Sequence, residues 1–159
     1  MRVPFVSTFC QVDYVIHVPD GVSVIARSDG ADVTVSNVTG NLDLSSSGGG
    51  IRVRNSDAGH VLLDSNGSGI AAVDLSAESI RGSASGGSVF LSLSTPPKTV
   101  DVDSDGGSVE IVLPDTSDAY HVNVSADGGS TSTEIRTDPT SPRVIIATSS
   151  GGNVILRYG

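Results

Sequence analysis

A corner rich in serine, aspartate and glycine recurs along the chain at nearly constant spacing. The seven corners are centred near Gly30, Gly49, Ser68, Gly87, Gly107, Gly129 and Gly152. Successive centres are 19, 19, 19, 20, 22 and 23 residues apart. A period of about 20 residues is typical of solenoids, in which each repeat forms one coil that stacks on its neighbours.

Short runs of alternating apolar and polar residues stand on both sides of the corners. Val100 and Val102 alternate with Asp101 and Asp103, for example, which is the period of a half-buried strand. We predict strands before the corners at residues 22–26, 42–44, 61–63, 80–84, 100–102, 122–124 and 144–146. We predict strands after them at residues 33–35, 51–53, 70–73, 89–93, 109–113, 131–135 and 154–156. No stretch shows a helical period.

These repeats predict an all-β fold, namely a parallel β-solenoid of about seven coils. The crossover rule for parallel strands favours a right-handed β-helix. Glycine at the corners is expected to permit positive φ, and the neighbouring serines and aspartates are expected to form hydrogen-bonded ladders. A meandering antiparallel sandwich is the alternative, since a strand every 8–12 residues or so also fits that class.

The two ends of the repeat differ in sequence. We predict that residues 1–11 form an irregular lead-in and that residues 12–159 form one repeat domain. Residues 12–18 are predicted to form a hydrophobic strand that ends at Pro19 and caps the first coil. Residues 154–158 end almost at the C-terminus, so we expect an open edge that supports weak association with another copy.

Composition limits the classes of function. The chain has 9 basic and 18 acidic residues, a net charge of −9, which argues against nucleic-acid binding and against docking to anionic lipid. Cys10 is the single cysteine, so no intrachain disulfide can form. No apolar run is long enough for a transmembrane helix or a signal core, and we expect no membrane insertion by this chain.

Several motifs occur in an order that resembles the DUF4097 family of bacterial β-strand-repeat proteins, which are often labelled adhesins. They are the opening Val18-Pro19-Asp20-Gly21, the Ser-x-x-Gly-x-Val corners, Pro96-Pro97, the segment from Leu113-Pro114 to Tyr120, and residues 138–143 before residues 145–154. The resemblance covers residues 12–158. It implies a right-handed β-helix, similar to the related GIN-type domains, and a bacterial cell-envelope location. It implies no established activity, so no functional residue is transferred.

Two patterns raise the question of metal binding. Asp101, Asp103 and Asp105 stand before Gly106 like the start of a calcium loop. The twelfth position is Val112 rather than glutamate, so the EF-hand pattern fails, and an outward strand face explains the aspartates as well.

The three histidines are the second pattern. His17 lies in the capping segment, whereas His60 and His121 occupy the same position of the repeat. From coil to coil that position reads Asn41, His60, Ser79, Thr99, His121, Arg143. Three coils would separate His60 from His121 by about 14 Å, too far to share a metal. We predict no cofactor.

Solenoids can also carry polysaccharide lyases and hydrolases, which need converging carboxylate and basic groups. The candidates here are Asp43, Asp101, Asp103, Arg52, Arg54 and Arg81. All occupy outward slots of strands, where solvated charges are expected. The sequence therefore favours a non-enzymatic structural or interaction module, with an unknown protein or cell-surface polymer as partner, and the DUF4097 resemblance implies that it belongs to the bacterial cell envelope. A carbohydrate-active enzyme and a self-associating solenoid are the alternatives.

Overall fold

The computed structural model describes residues 14–159, which form twelve β-strands. The strands are β1 (Val24–Ser28), β2 (Val33–Ser36), β3 (Leu42–Ser46), β4 (Ile51–Ser65), β5 (Ile70–Ala84), β6 (Val89–Leu93), β7 (Thr99–Ser104), β8 (Val109–Leu113), β9 (His121–Ala126), β10 (Thr131–Thr133), β11 (Val144–Ser149) and β12 (Val154–Tyr158). Every strand pair is parallel. The described chain is an all-β solenoid of about seven coils, as predicted, and the antiparallel sandwich is wrong.

The strands stack into two long ladders that meet at the glycine corners. Sheet A contains, in spatial order, β1, β3, the end of β4, the end of β5, β7, β11 and β9. Sheet B contains β2, the start of β4, the start of β5, β6, β8, β12 and β10. Alternate residues point into the narrow interior, which is built from Val, Ile, Leu and Ala.

The two 15-residue strands β4 and β5 differ from the prediction of two short strands each. Both bend on a third side of the solenoid without losing their pairing. Asn55 and Asp74 stand at the bends with φ of 46° and 53°, and Asn37 has φ of 56° at the same place in the first coil. Asn and Asp tolerate this left-handed conformation better than most residues.

The coils do not stack in chain order. β11 lies between β7 and β9, and β12 lies between β8 and β10. The seventh coil, β11–β12, is therefore inserted between the fifth, β7–β8, and the sixth, β9–β10. The predicted open edge at residues 154–158 is wrong: Val154 and Leu156 are 0% exposed, because the earlier strand β10 covers them.

The N-terminal end of the stack is open in the described structure. Each of β1 and β2 pairs with a neighbour on one side only. Residues 14–18, the described part of the predicted capping strand, form no strand and are exposed. The lead-in with Cys10, and residues 12 and 13, lie outside the described residues.

The corner glycines are needed for close stacking rather than for positive φ. Among the described glycines, only Gly21 has φ in the left-handed region, at 75°, so the predicted positive φ at the corners is wrong. A Cβ on Gly87 would stand 2.6 Å from the backbone nitrogen of Gly69 in the next coil. Beside the glycines, the predicted ladder forms from the buried side chains of Ser46, Ser65, Ser104 and Ser149.

Candidate functional site

The three aspartates of the calcium-like pattern are held separately. Asp101 and Asp103 both point outward from β7, two residues apart and therefore roughly 7 Å apart along the strand. Arg81 donates to Asp101 at 3.0 Å, and the Ser83 hydroxyl donates to Asp103 at 3.0 Å. Asp105 lies at the exposed corner. Within residues 14–159, no group of three or more His, Cys, Asp or Glu side chains is arranged to hold a metal ion.

The inserted coil also changes the histidine slot. Ladder pairing runs from His60 through Ser79, Thr99 and Val144 to His121. Four ladder steps of about 4.8 Å separate the two histidines by about 19 Å, rather than the predicted 14 Å. Val144 occupies the slot assigned to Arg143. His17 is exposed in the N-terminal segment, far along the chain from both.

The six ionisable candidates for catalysis are spread over the solenoid. Asp43, Asp101, Asp103 and Arg81 point outward from sheet A, whereas Arg52 and Arg54 lie on sheet B. Arg27 donates to Asp43 at 3.4 Å, Arg81 pairs with Asp101, and Arg52 pairs with Asp32. The pKa of Asp32 is lowered by the Gly50 backbone N–H and by Arg52. Four of the six, namely Asp43, Asp101, Arg81 and Arg52, are therefore held in ion pairs, and the structure does not bring the six into one cleft.

A row of side chains across the outside of sheet A is the most distinctive surface of the described chain. The ladder register places these residues side by side: Ile25, Asp43, Leu62, Arg81, Asp101, Ile146 and Asn123. We call this row the sheet A stripe. Ile25 is 65% exposed and Leu62 is 42% exposed, so apolar and charged groups alternate over the first four positions of the row. A shallow depression at one end is lined by Ile25, Asp43, Leu62 and the neighbouring His60.

Sequence reasoning missed the stripe although a signal was present. Leu62 stands between Val61 and Leu63, and Ile146 follows Ile145, so apolar residues occupy outward slots where the alternation calls for polar ones. A surface apolar residue carries no information alone, but several in one register of a solenoid lie on one surface and can be contacted together.

A second cluster, also missed, joins the connections around the inserted coil. Arg143 donates from Nε to Asp118 at 2.9 Å and from Nη1 to the carbonyl oxygens of Pro96 and Pro97. Tyr120 is 1% exposed, and its hydroxyl has no hydrogen-bond partner among the described residues. Burial raises the pKa of Tyr120 to about 12. This cluster is packed into the fold and offers no open cleft for a substrate.

A scan against protein-family models, a search of curated proteins and a search of solved structures each found no match to this chain. The DUF4097 resemblance therefore stays a prediction. No helix long and apolar enough to cross a membrane occurs in the described part of the chain.

Proposed function

We propose that this protein is a non-enzymatic interaction module that contacts an extended cell-surface polymer or protein through the sheet A stripe. The observation that carries the proposal is the stripe itself, in which exposed Ile25 and Leu62 alternate with Asp43 and Arg81 across successive coils. Apolar contact area flanked by charged groups is what a specific surface needs for affinity and for orientation.

The distribution of charge supports binding over catalysis. A glycosidase or lyase needs two or more ionisable groups directed at one bond, whereas Asp43 and Asp101 are each engaged by an arginine in the ladder. The serine and glycine corners are short and add no walls to the stripe. The resemblance to DUF4097, whose members are often labelled adhesins, favours a surface module and a bacterial cell-envelope location, although it assigns no binding residue.

Adsorption to purified bacterial cell walls tests the proposal. Leu62→Asp removes an exposed apolar group of the stripe, and Val73→Asp is the matched control, since Val73 is 36% exposed on sheet B. We expect Leu62→Asp to weaken adsorption at least about tenfold, a cost of roughly 1.4 kcal/mol, and Val73→Asp to adsorb like the parent. Equal adsorption by both variants would show that the sheet A stripe is not the binding surface. Release of soluble sugar from the walls by the pure protein would establish the carbohydrate-active alternative instead.

A further inference from the structure

The open N-terminal end of the solenoid is less well covered than any inner coil. Val33 and Val35 of β2 point inward but are only half-buried, whereas their neighbours Ile51 and Val53 are 0% exposed. The opposite end is mixed, because Thr131 and Thr133 of β10 occupy the corresponding inward positions, whereas Val122 and Val124 of β9 are half-buried there. A polar outer layer is what keeps a terminal repeat soluble, and the N-terminal end lacks one in both sheets, since Val24 of β1 is also inward and half-buried.

The free edge of β2 also presents unpaired backbone groups. Val33 donates its N–H to Gly50, and Asn37 donates to Arg54, both on the side of β4. Since successive residues of a strand point their N–H groups to opposite sides, the N–H of Thr34 is directed to the open side. This edge is a template for one more parallel or antiparallel strand.

An apolar segment of fitting sequence stands immediately before this end. Residues 14–21 read Tyr-Val-Ile-His-Val-Pro-Asp-Gly, and residues 33–40, nineteen positions later, read Val-Thr-Val-Ser-Asn-Val-Thr-Gly. We call residues 14–18 the arm. Its Tyr14, Val15 and Ile16 are 83%, 81% and 80% exposed, although a run of consecutive apolar residues is typical of a buried strand.

Residues 19–21 form the hinge between the arm and the first coil, and they are constrained. Gly21 donates its N–H to the Thr39 hydroxyl at 2.7 Å, which ties the hinge to the connection between β2 and β3. Pro19 has a restricted φ, so only Asp20 separates two constrained residues. A short, constrained hinge favours exchange of a segment between copies over folding back.

We propose that the arm of a second copy pairs with the β2 edge, and that the two copies exchange arms in a two-fold symmetric dimer joined at their N-terminal ends. Reciprocal exchange covers both apolar ends and closes the assembly, so it does not propagate into a filament. Each copy carries a net charge of −9, so repulsion opposes the dimer and added salt strengthens it.

Sedimentation and fluorescence together test the dimer. The chain contains no Trp, so Tyr14→Trp provides a single reporter on the arm. We expect twice the chain mass at high protein concentration, dissociation on dilution, and a shift of the tryptophan emission to longer wavelength over the same concentration range. The mass of a single chain at every concentration would overturn the proposal. The tryptophan emission would then show whether the arm docks on its own chain, where it is buried, or stays exposed.

Two variants and one control make the test specific. Ile16→Asp changes an exposed arm residue, and Thr34→Pro removes the edge N–H without touching the bonds to β4. Each should weaken dimerisation at least about tenfold, whereas Val73→Asp, on an outer face away from the end, should not. Circular dichroism and urea unfolding check that all three fold. Dimers that persist in folded Ile16→Asp and Thr34→Pro proteins would overturn the proposal and leave the function of the stripe unaffected.

Discussion

Arg143 and Asp118 meet at 2.9 Å where the connections of the last two coils cross. Asp118 belongs to the segment that leads to β9 and passes over the level of the inserted coil. Arg143 directly precedes β11 and also reaches the carbonyl oxygens of Pro96 and Pro97, ahead of β7. One guanidinium therefore joins the fifth, sixth and seventh coils in their non-sequential order.

We predict that Arg143→Ala lowers the free energy of unfolding by about 1–3 kcal/mol, the usual contribution of hydrogen bonds to a partly buried charge. The side chain is 30% exposed, and its loss removes the ion pair of Asp118, which keeps only the bond from the Thr116 hydroxyl, and the hydrogen bonds to two carbonyl groups. Urea unfolding measures the change. The matched control is Arg81→Ala. The Arg81 side chain is 71% exposed, so its ion pair with Asp101 should contribute at most about 1 kcal/mol. Equal effects of the two substitutions would contradict the assigned function of Arg143.

We predict that Gly87→Val destabilises the protein by more than about 1 kcal/mol, because its side chain would meet the backbone of Gly69. Gly107→Val should behave alike, since a Cβ there lies 2.5 Å from the Ser88 hydroxyl oxygen. Gly30→Val is the control: it lies at the same kind of corner on the open end, and a Cβ there has nothing within 4 Å. Its midpoint in a thermal melt should stay close to that of the parent.

We predict that Tyr120→Phe leaves stability unchanged or raises it. The buried hydroxyl has no partner among the described residues, so its removal also removes a desolvation cost. Burial raises the pKa of Tyr120 from 10 to about 12, so the folded state holds this proton more tightly than the unfolded state. Stability should therefore fall as pH rises from about 10 to 12, by at most about 3 kcal/mol. Urea unfolding at several pH values would show this loss in the parent and a smaller one in Tyr120→Phe.

We predict that calcium does not stabilise the protein. Arg81 and Ser83 already engage Asp101 and Asp103, and the coil leaves these carboxylates on a flat strand face. Thermal melts with excess calcium and with chelator should give the same midpoint. A reproducible rise with calcium that Asp103→Ala abolishes would show that the pattern is a site.

The sequence was sufficient for the architecture because one signal repeats in it. Alternation around Val100 and Val102 and the regular glycine corners determine the strands and their parallel pairing, but not the order in which the coils stack. The sequence did not predict the bends at Asn55 and Asp74. There, one residue in the left-handed conformation lets a single long strand continue along the third side of the solenoid. Asn and Asp are common in this chain, so nothing marked these two as bends.

The order of the coils is a long-range choice that periodicity does not encode. A faint signal exists in the corners: Ser150 lies between Asp105 and Asp127 in the stack, where chain order would put the two aspartates side by side. Like charges on adjacent strands repel. The longer steps of 22 and 23 residues between the last corners also supply the chain that the crossing connections need.

The candidate site was predictable only in part. Outward slots for Asp43 and Arg81 followed from alternation, and both residues lie in the stripe. That Leu62 belongs to the stripe could not be predicted, because a single exposed leucine does not indicate a binding surface. Only the strand register shows that Leu62 lies in the same row as Ile25 and Ile146. The arm likewise reads as a strand by sequence, but its partner depends on contacts beyond the local pattern.

The non-sequential stack is tested most directly by disulfide cross-linking in a Cys10→Ser background. Thr148 of the inserted coil pairs directly with Asp103 in the ladder, whereas Ser125 lies one layer further away. Adjacent strands are about 4.8 Å apart, within reach of a disulfide, and two layers are about 9.6 Å apart, beyond it. Under mild oxidation we predict that Asp103→Cys with Thr148→Cys forms an intrachain bond and that Asp103→Cys with Ser125→Cys does not. Efficient bonding in the second double variant, with none in the first, would show that the coils stack in chain order and would contradict the account.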